Sequence, residues 1–385
     1  MGYKDYKKTF KDISKQINIM ALFGNGVDIQ LMKILNSNWT TSYQDFYEYL
    51  CNKNFNGSNL LFKKLKEDKE IFEKSKQHNS SPPYEKENWS DFESGLIEIV
   101  EQNEPKKVEE DLKEVQVEFA NFLNSIITPK HLKEIGDLAT TKCLAKESVE
   151  NFLGDLGPED YEKLSFPSKL KHHCVYNWEV MNFNYTSLLD NILFLDKEQF
   201  DNHPYEKSER NIEFKCNPRK LNGRHTRHFG GTELYGNIML NIHHPHGYQS
   251  IPKSMLFGFD NGKNSYKAFS KPYWAQSDKK YKSYFGNTDL FIIYGLSLGK
   301  SDCWWWNNII NSLLHTKAEL IIYNYNSNQE TNEETIDRFI ESVSEYVPNE
   351  GYRYRTKDRE KLHSKIAVIQ YTSDTKLKAF KLDKD

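Results

Sequence analysis

The chain has 385 residues, of which 37% are hydrophobic, 28% charged and 14% aromatic, a composition that excludes a disordered polymer and supports a large core. A formal net charge of -3 and a pI near 6.5 exclude general attraction to nucleic acid or anionic membranes, leaving only local patches for such binding. Five cysteines, Cys51, Cys143, Cys174, Cys216 and Cys303, are scattered without a C-x-x-C pair, so neither a disulfide framework nor a structural zinc site is expected.

The opening "MGYKDYKKTFKDISKQ" is charged and lacks the apolar core of a secretory signal, and no later run approaches the roughly 18 apolar residues of a spanning helix. A cytoplasmic protein with no membrane partner is the expectation. "INIMALFG" reads as a buried strand stopped by Gly24, and "SYQDFYEYL" then spaces Tyr43, Phe46, Tyr47 and Leu50 at helical intervals. Residues 1–51 are therefore assigned to the first strand-helix unit of an α/β core. Residues 52–171 read as a helical insertion, with "DFESGLIEIVEQ" and "LKEVQVEFANFLNSII" as helices and "HNSSPPYEKEN" (78–88) as a break.

Strand signals return in 172–385, the remainder of the core: "HCVYNWEVMNFN", "GNIMLNIHHPHG", "TDLFIIYGLSLG", "AELIIYNYN" and "KIAVIQY". Helical "YTSLLDNILFL", "SDCWWWNNIINSLLH" and "ETIDRFIESVSEYV" fall between several of them. This alternation predicts an α/β fold with a mostly parallel sheet and helices on both faces.

Four strands end in polar or glycine-rich turns: "GNGVD" (24–28), "NFNYTS" (182–187), "HHPHG" (243–247) and "GLSLGKSD" (295–302). Ligands of open parallel sheets bind outside the carboxyl ends of the strands, so the four turns are expected to line one crevice. In the first, Gly24 and Gly26 permit positive φ and close backbone approach, and amides opening the next helix can face a diphosphate. Ile29 stands where the fingerprint G-x-G-x-x-G has its third glycine. A plain strand-to-helix turn, with Asp28 serving the helix N-terminus, is the competing reading.

Asn184 can donate and accept at once, which suits holding a ribose or a water; otherwise Asn184 and Thr186 cap the following helix. An imidazole at His246 can act as a general base near neutral pH, with Gly247 leaving room beside the ring. Metal binding by His243, His244 and His246 lacks a supporting carboxylate pattern, so no metal is expected. Gly295, Ser297 and Asp302 can close on the far ribose or base, or Ser301 or Asp302 can simply cap a helix. Trp304 to Trp306 read as helix packing. The stretch 217–231, with Arg219, Lys220, Arg224, His225, Arg227 and His228, is the best phosphate or nucleic-acid patch of the chain, and otherwise a solvated loop.

Together, "LFGNGVDI", "TSYQDFYEYL", "NWSDFESGL", "FNYTSLLD", "HHPHG" with "MLFGFDN", and "YGLSLGKSD" resemble the bacterial AbiH proteins of phage abortive infection, in order and rough spacing over most of the chain. One departure is "KILNSNWT", where the family has a Gly-Leu-Pro element. The same ordered set is similar to a reduced sirtuin-type NAD-binding fold, whose glycine turn, asparagine and His-Gly pair would correspond to Gly24, Asn25 and Gly26, to Asn184 and to His246. Asp28 replaces the serine of that turn. The zinc ribbon of deacetylating sirtuins is absent, which argues against deacetylation.

The resemblance implies an anti-phage effector that binds and hydrolyses NAD, as substrate, or a related nucleotide, with His246 and Asn184 catalytic and Gly24, Asn25, Gly26, Asp28, Thr186, Gly247, Gly295, Ser297 and Asp302 binding. A phage-derived trigger or a second copy of the chain is the expected partner. Two alternatives compete: a nucleic-acid-acting effector such as a nuclease, using 217–231 and the histidines, and a non-catalytic nucleotide sensor or scaffold. Trp89 and Glu93 match a family element and read as core and cap residues, or as residues reaching over the site.

Overall fold

The computed structural model describes residues 2–8, 15–77, 89–142, 144, 148–149, 151–169, 174–193, 212–215, 233–260, 264–326, 329–343 and 355–379. The basic stretch 217–231 and the break at 78–88 lie outside the described residues.

Among the described residues seven strands form one sheet: β1 Lys15–Phe23, β2 Cys174–Asn182, β3 Ile212–Lys215, β4 Glu233–His243, β5 Leu290–Tyr294, β6 Glu319–Tyr325 and β7 Ile366–Tyr371. Their order is β3-β4-β2-β1-β5-β6-β7. β3 runs antiparallel on one edge, and every other pairing is parallel. Counted in chain order, the six parallel strands lie third, second, first, fourth, fifth and sixth across the sheet, which is the order of a Rossmann doubly wound sheet. The direction of winding reverses between β1 and β5, and a crevice opens at the carboxyl ends of strands at such a point.

Why these segments are strands follows from two-sided burial. All five residues of β5 are buried and read as a continuous apolar run; all nine of β2 are buried too, although Asn177, Glu179 and Asn182 interrupt its apolar residues. Successive residues serve opposite faces: Ile19, Ala21 and Phe23 of β1 join one core, and Met20 and Leu22 join the other. The first core is covered by α1 Asn25–Ile34, α2 Tyr43–Asn52, α3 Leu60–Gln77, α4 Phe92–Gln102, α5 Pro105–Ile126 and α6 Pro129–Lys142. Helices α3 to α6 all stand between β1 and β2. The second is covered by helices Cys303–His315, Asn332–Glu341 and Thr356–His363. Trp304, Trp305 and Trp306 are buried there as packing residues, and truncating Trp306 would cost about 3–5 kcal/mol.

Local signals set the helix ends nearest the crevice. Ser42 caps α2 by accepting the amide of Asp45 at 3.1 Å, and the Asp45 carboxylate accepts the Thr40 amide at 2.7 Å. α1 stops where Asn36 turns left-handed, with φ of 52°, and its amide returns to the Lys33 carbonyl. Among the described residues no helix is long and apolar enough to cross a membrane.

Candidate functional site

A cleft of about 1280 Å³ opens at the carboxyl ends of β1, β2, β4 and β5. The first strand-end turn forms its floor by close packing of backbone. The Gly24 amide donates to the Tyr294 carbonyl and the Gly26 amide to the Gly295 carbonyl, each at 2.9 Å. A Cβ on Gly26 would stand 2.7 Å from the Gly295 Cα, and one on Gly24 would stand 2.6 Å from the Gly295 carbonyl and strike the Leu296 side chain. The glycine pair is thus explained by contact with the β5 turn.

Positive φ is not what Gly24 and Gly26 supply: φ at Gly24 is -117°, Gly26 lies within α1, and the positive values belong to Gly295 (71°) and Gly247 (96°). Two of the amides expected to face a diphosphate are therefore already committed to protein carbonyls. Asn25 is bound within the protein as well. Its amide donates to the Thr41 carbonyl at 2.9 Å, and the Thr41 hydroxyl donates back at 2.5 Å, which ties the start of α1 to the segment before α2.

Asp28 does not cap its helix. It is fully buried, and its carboxyl accepts the Asn184 side-chain amide at 3.1 Å and the Thr186 hydroxyl at 2.5 Å. Burial raises its pKa to about 7, outweighing Thr186 and Asn184, because every direct partner is neutral. The Asn184 backbone carbonyl faces Nδ1 of His244 at 3.1 Å, and Nε2 of the same ring meets Asp190 at 2.7 Å. Asp190 also accepts the Asn182 amide at 2.9 Å. Asn184 is therefore held from two sides by groups on α1 and on the segment after β4.

The opposite wall is ionic. Nε2 of His246 lies 3.3 Å from Oδ1 of Asp302, and the ring meets the Phe183 ring edge-on at 4.7 Å. The Lys271 ammonium, only 3% exposed, lies 3.4 Å from the same Asp302 oxygen and 2.9 Å from Oε2 of Glu93. The other oxygen of Glu93 accepts the Gly258 amide at 3.3 Å. Asp302 occupies the cap position of helix Cys303–His315 without making a capping bond; its carboxylate serves Lys271 and His246 instead.

Burial works against the charged form of Asp302, but Lys271 and then His246 overcome it and hold the carboxyl well below its ordinary range. Burial, with Lys271 adding to it, lowers the His246 pKa against the pull of Asp302, so the ring is neutral near pH 7. Lys271 stays charged despite burial because Asp302 and Glu93 flank it. Burial raises Glu93 to about 7 in spite of Lys271, so Asp302 is the acid that stays fully ionised opposite the Lys271 ammonium.

The three neighbouring histidines do not converge. His243 meets Glu179 at 2.6 Å, His244 meets Asp190 and His246 faces Asp302. Among the described residues no group of histidines, cysteines and carboxylates could hold a metal ion.

Gly24, Asn25, Gly26, Asp28, Asn184, Thr186, His246, Gly295, Ser297 and Asp302 all line the cleft. Gly247 does not: a Cβ there would strike the Ser254 carbonyl, so the space beside it is filled by backbone. Glu93 reaches the cleft from α4, and Trp89 packs edge-on against Tyr47 at 5.1 Å. Sequence reasoning missed Lys271, which stands in a stretch without strand-end or glycine signals, and Asp190, which closes "FNYTSLLD" three residues after a strand-end turn and reads there as part of the following helix.

A family model described as bacteriophage abortive infection AbiH matches residues 20–325. No curated protein and no solved structure matches the chain.

Proposed function

The chain belongs to the bacteriophage abortive infection AbiH family, and on that premise we propose that its cleft binds NAD or a related nucleotide and hydrolyses the bond between nicotinamide and ribose. The observation that carries this reading is the meeting of Asn184 and a neutral His246 in one cleft at the point where the sheet reverses its winding. The similarity of "LFGNGVDI", "FNYTSLLD" and "HHPHG" to a reduced sirtuin-type core supports the choice of NAD, and depletion of NAD would halt an infected cell.

Nicotinamide is a cationic leaving group that departs with the bonding electron pair, so the protein has mainly to orient the ribose and stabilise the oxocarbenium ion. Water then forms the new carbon–oxygen bond and gives up a proton. With Nε2 of His246 directed at Asp302, the ring lone pair resides on Nδ1, and Asp302 favours the imidazolium that forms. Asn184, fixed by Asp28, supplies the amide that orients ribose or water. Below about pH 7 Asp28 is protonated, which removes the repulsion that a charged aspartate would exert on a diphosphate.

The test is release of nicotinamide and ADP-ribose from NAD, measured with and without lysate of phage-infected cells. His246→Ala and Asn184→Ala should each lower release by about a hundredfold or more. No release by the wild type under both conditions, or release at the wild-type rate in both variants, overturns the assignment.

A further inference from the structure

We infer that Lys271 is a positioning residue of the site: anchored by Glu93 of α4, its ammonium fixes the Asp302 carboxylate against Nε2 of His246. Asp302 Oδ1 is shared, lying 3.3 Å from His246 and 3.4 Å from Lys271, so one carboxylate oxygen answers to two cationic or potentially cationic groups. Glu93 then holds the far side of the ammonium at 2.9 Å and is itself held by the Gly258 amide.

A lysine that is 3% exposed would not be retained by a surface role, because its burial is tolerable only with both carboxylates in place. Its stem belongs to the short helix Lys271–Trp274, and the chain before it is fixed by the pairing of the Phe259 amide with the Phe269 carbonyl at 3.0 Å. The imidazole thus receives its orientation through three chain segments: the turn before the helix Cys303–His315, the segment after β4, and α4 from between β1 and β2.

Charged or titratable groups approach the cluster from each of these: Asp302, Lys271, and Glu93 with Asp91. Tyr43 and Tyr185 face the same carboxylates, and burial raises both hydroxyls well above their ordinary range, so they stay neutral. Of these groups, only Lys271 opposes protonation of His246 by its charge. Removing that charge, with Asp302 itself not substituted, takes away the one cation beside the ring and so makes the imidazolium easier to form, while the lost hold on the Asp302 carboxylate is read separately in kcat.

The experiment is a proton NMR titration of the His246 imidazole in the full chain, its resonance identified by its loss in His246→Ala. Lys271→Met should raise the His246 pKa by about one unit, and Lys271→Arg should return it towards the wild-type value. The double variant Lys271→Met/Glu93→Gln removes both ends of the outer ion pair and should show the same rise, which keeps the titration readable if the single variant does not fold. An unchanged His246 titration in whichever of these two lysine-free variants folds overturns the inference. No substrate is involved, so failure of NAD hydrolysis would leave this result standing. Where hydrolysis is measured, which rests on the function proposed above, Lys271→Met should lower kcat about tenfold to a hundredfold with KM little changed. A rise in KM alone would overturn the positioning role.

Discussion

Asp28 and Asp302 are the same residue type in two walls of one cleft, and their acidities move in opposite directions. Asp28 meets only the neutral donors Asn184 and Thr186, and burial raises its pKa to about 7. Asp302 meets Lys271 and His246, and its pKa falls despite burial. Burial alone therefore does not decide the charge of an acid; the charge of its partner does. One wall is a neutral clamp that orients an amide, and the other an ion pair that governs an imidazole.

The strongest way to break this contrast is to remove the cation. Lys271→Met leaves Asp302 without its ammonium partner, and urea denaturation at pH 7 should show a loss of about 3–5 kcal/mol. A loss under about 1 kcal/mol, the range of an exposed pair, would mean that the ammonium is not the partner holding Asp302.

Asp28 offers a test of the neutral wall by pH. Its folded pKa, about 7, is above its ordinary 3.8, so between those values the folded state holds a proton that the unfolded state has lost. Stability is then greatest at the acid end of this window and falls as pH rises through about 7. Asp28→Asn should remove about 2–4 kcal/mol of that decline; an unchanged slope of stability between pH 4 and 8 would count against it. Asp302 has the reverse sign: its stabilisation is present above its ordinary pKa and is lost as pH falls further.

Smaller changes sharpen how the walls are joined. Gly26→Ala drives a Cβ toward the Gly295 Cα and should cost about 1–3 kcal/mol, with the midpoint of thermal unfolding as the measurement. A neutral result would show that the two turns can separate without strain. Asn25→Ala removes the bonds to Thr41 and should cost about 1 kcal/mol in chemical denaturation. If it costs as much as Lys271→Met, the neutral wall is held as tightly as the ionic one.

Much of the fold was legible because strands buried on both faces write themselves as apolar runs ending in glycine or polar turns. β2, β5, β6 and β7 each lie within the segments their hydrophobicity marked. The site was legible only where a residue stood at a strand end. Asn184, His246 and Asp302 did, whereas Lys271 sits in "SKPYW", which carries no such signal, and Glu93, away from any strand end, was marked only through the family element "NWSDFESGL". The glycine pair was recognised for close approach, but what approaches is the Gly295 backbone.

By itself, then, the amino-acid sequence determined where most of the strands and helices form, though not β3, and which turns crowd the carboxyl edge of the sheet, because period, burial and glycine chemistry act within a few residues. Tertiary structure alone decided which charges meet. Glu93 and Lys271 are 178 residues apart and Asp28 and Asn184 are 156 apart, and no local pattern links such positions. Only the Rossmann order of the strands brings them to one cleft, where the loss of water makes each partner's charge decide the protonation of the other.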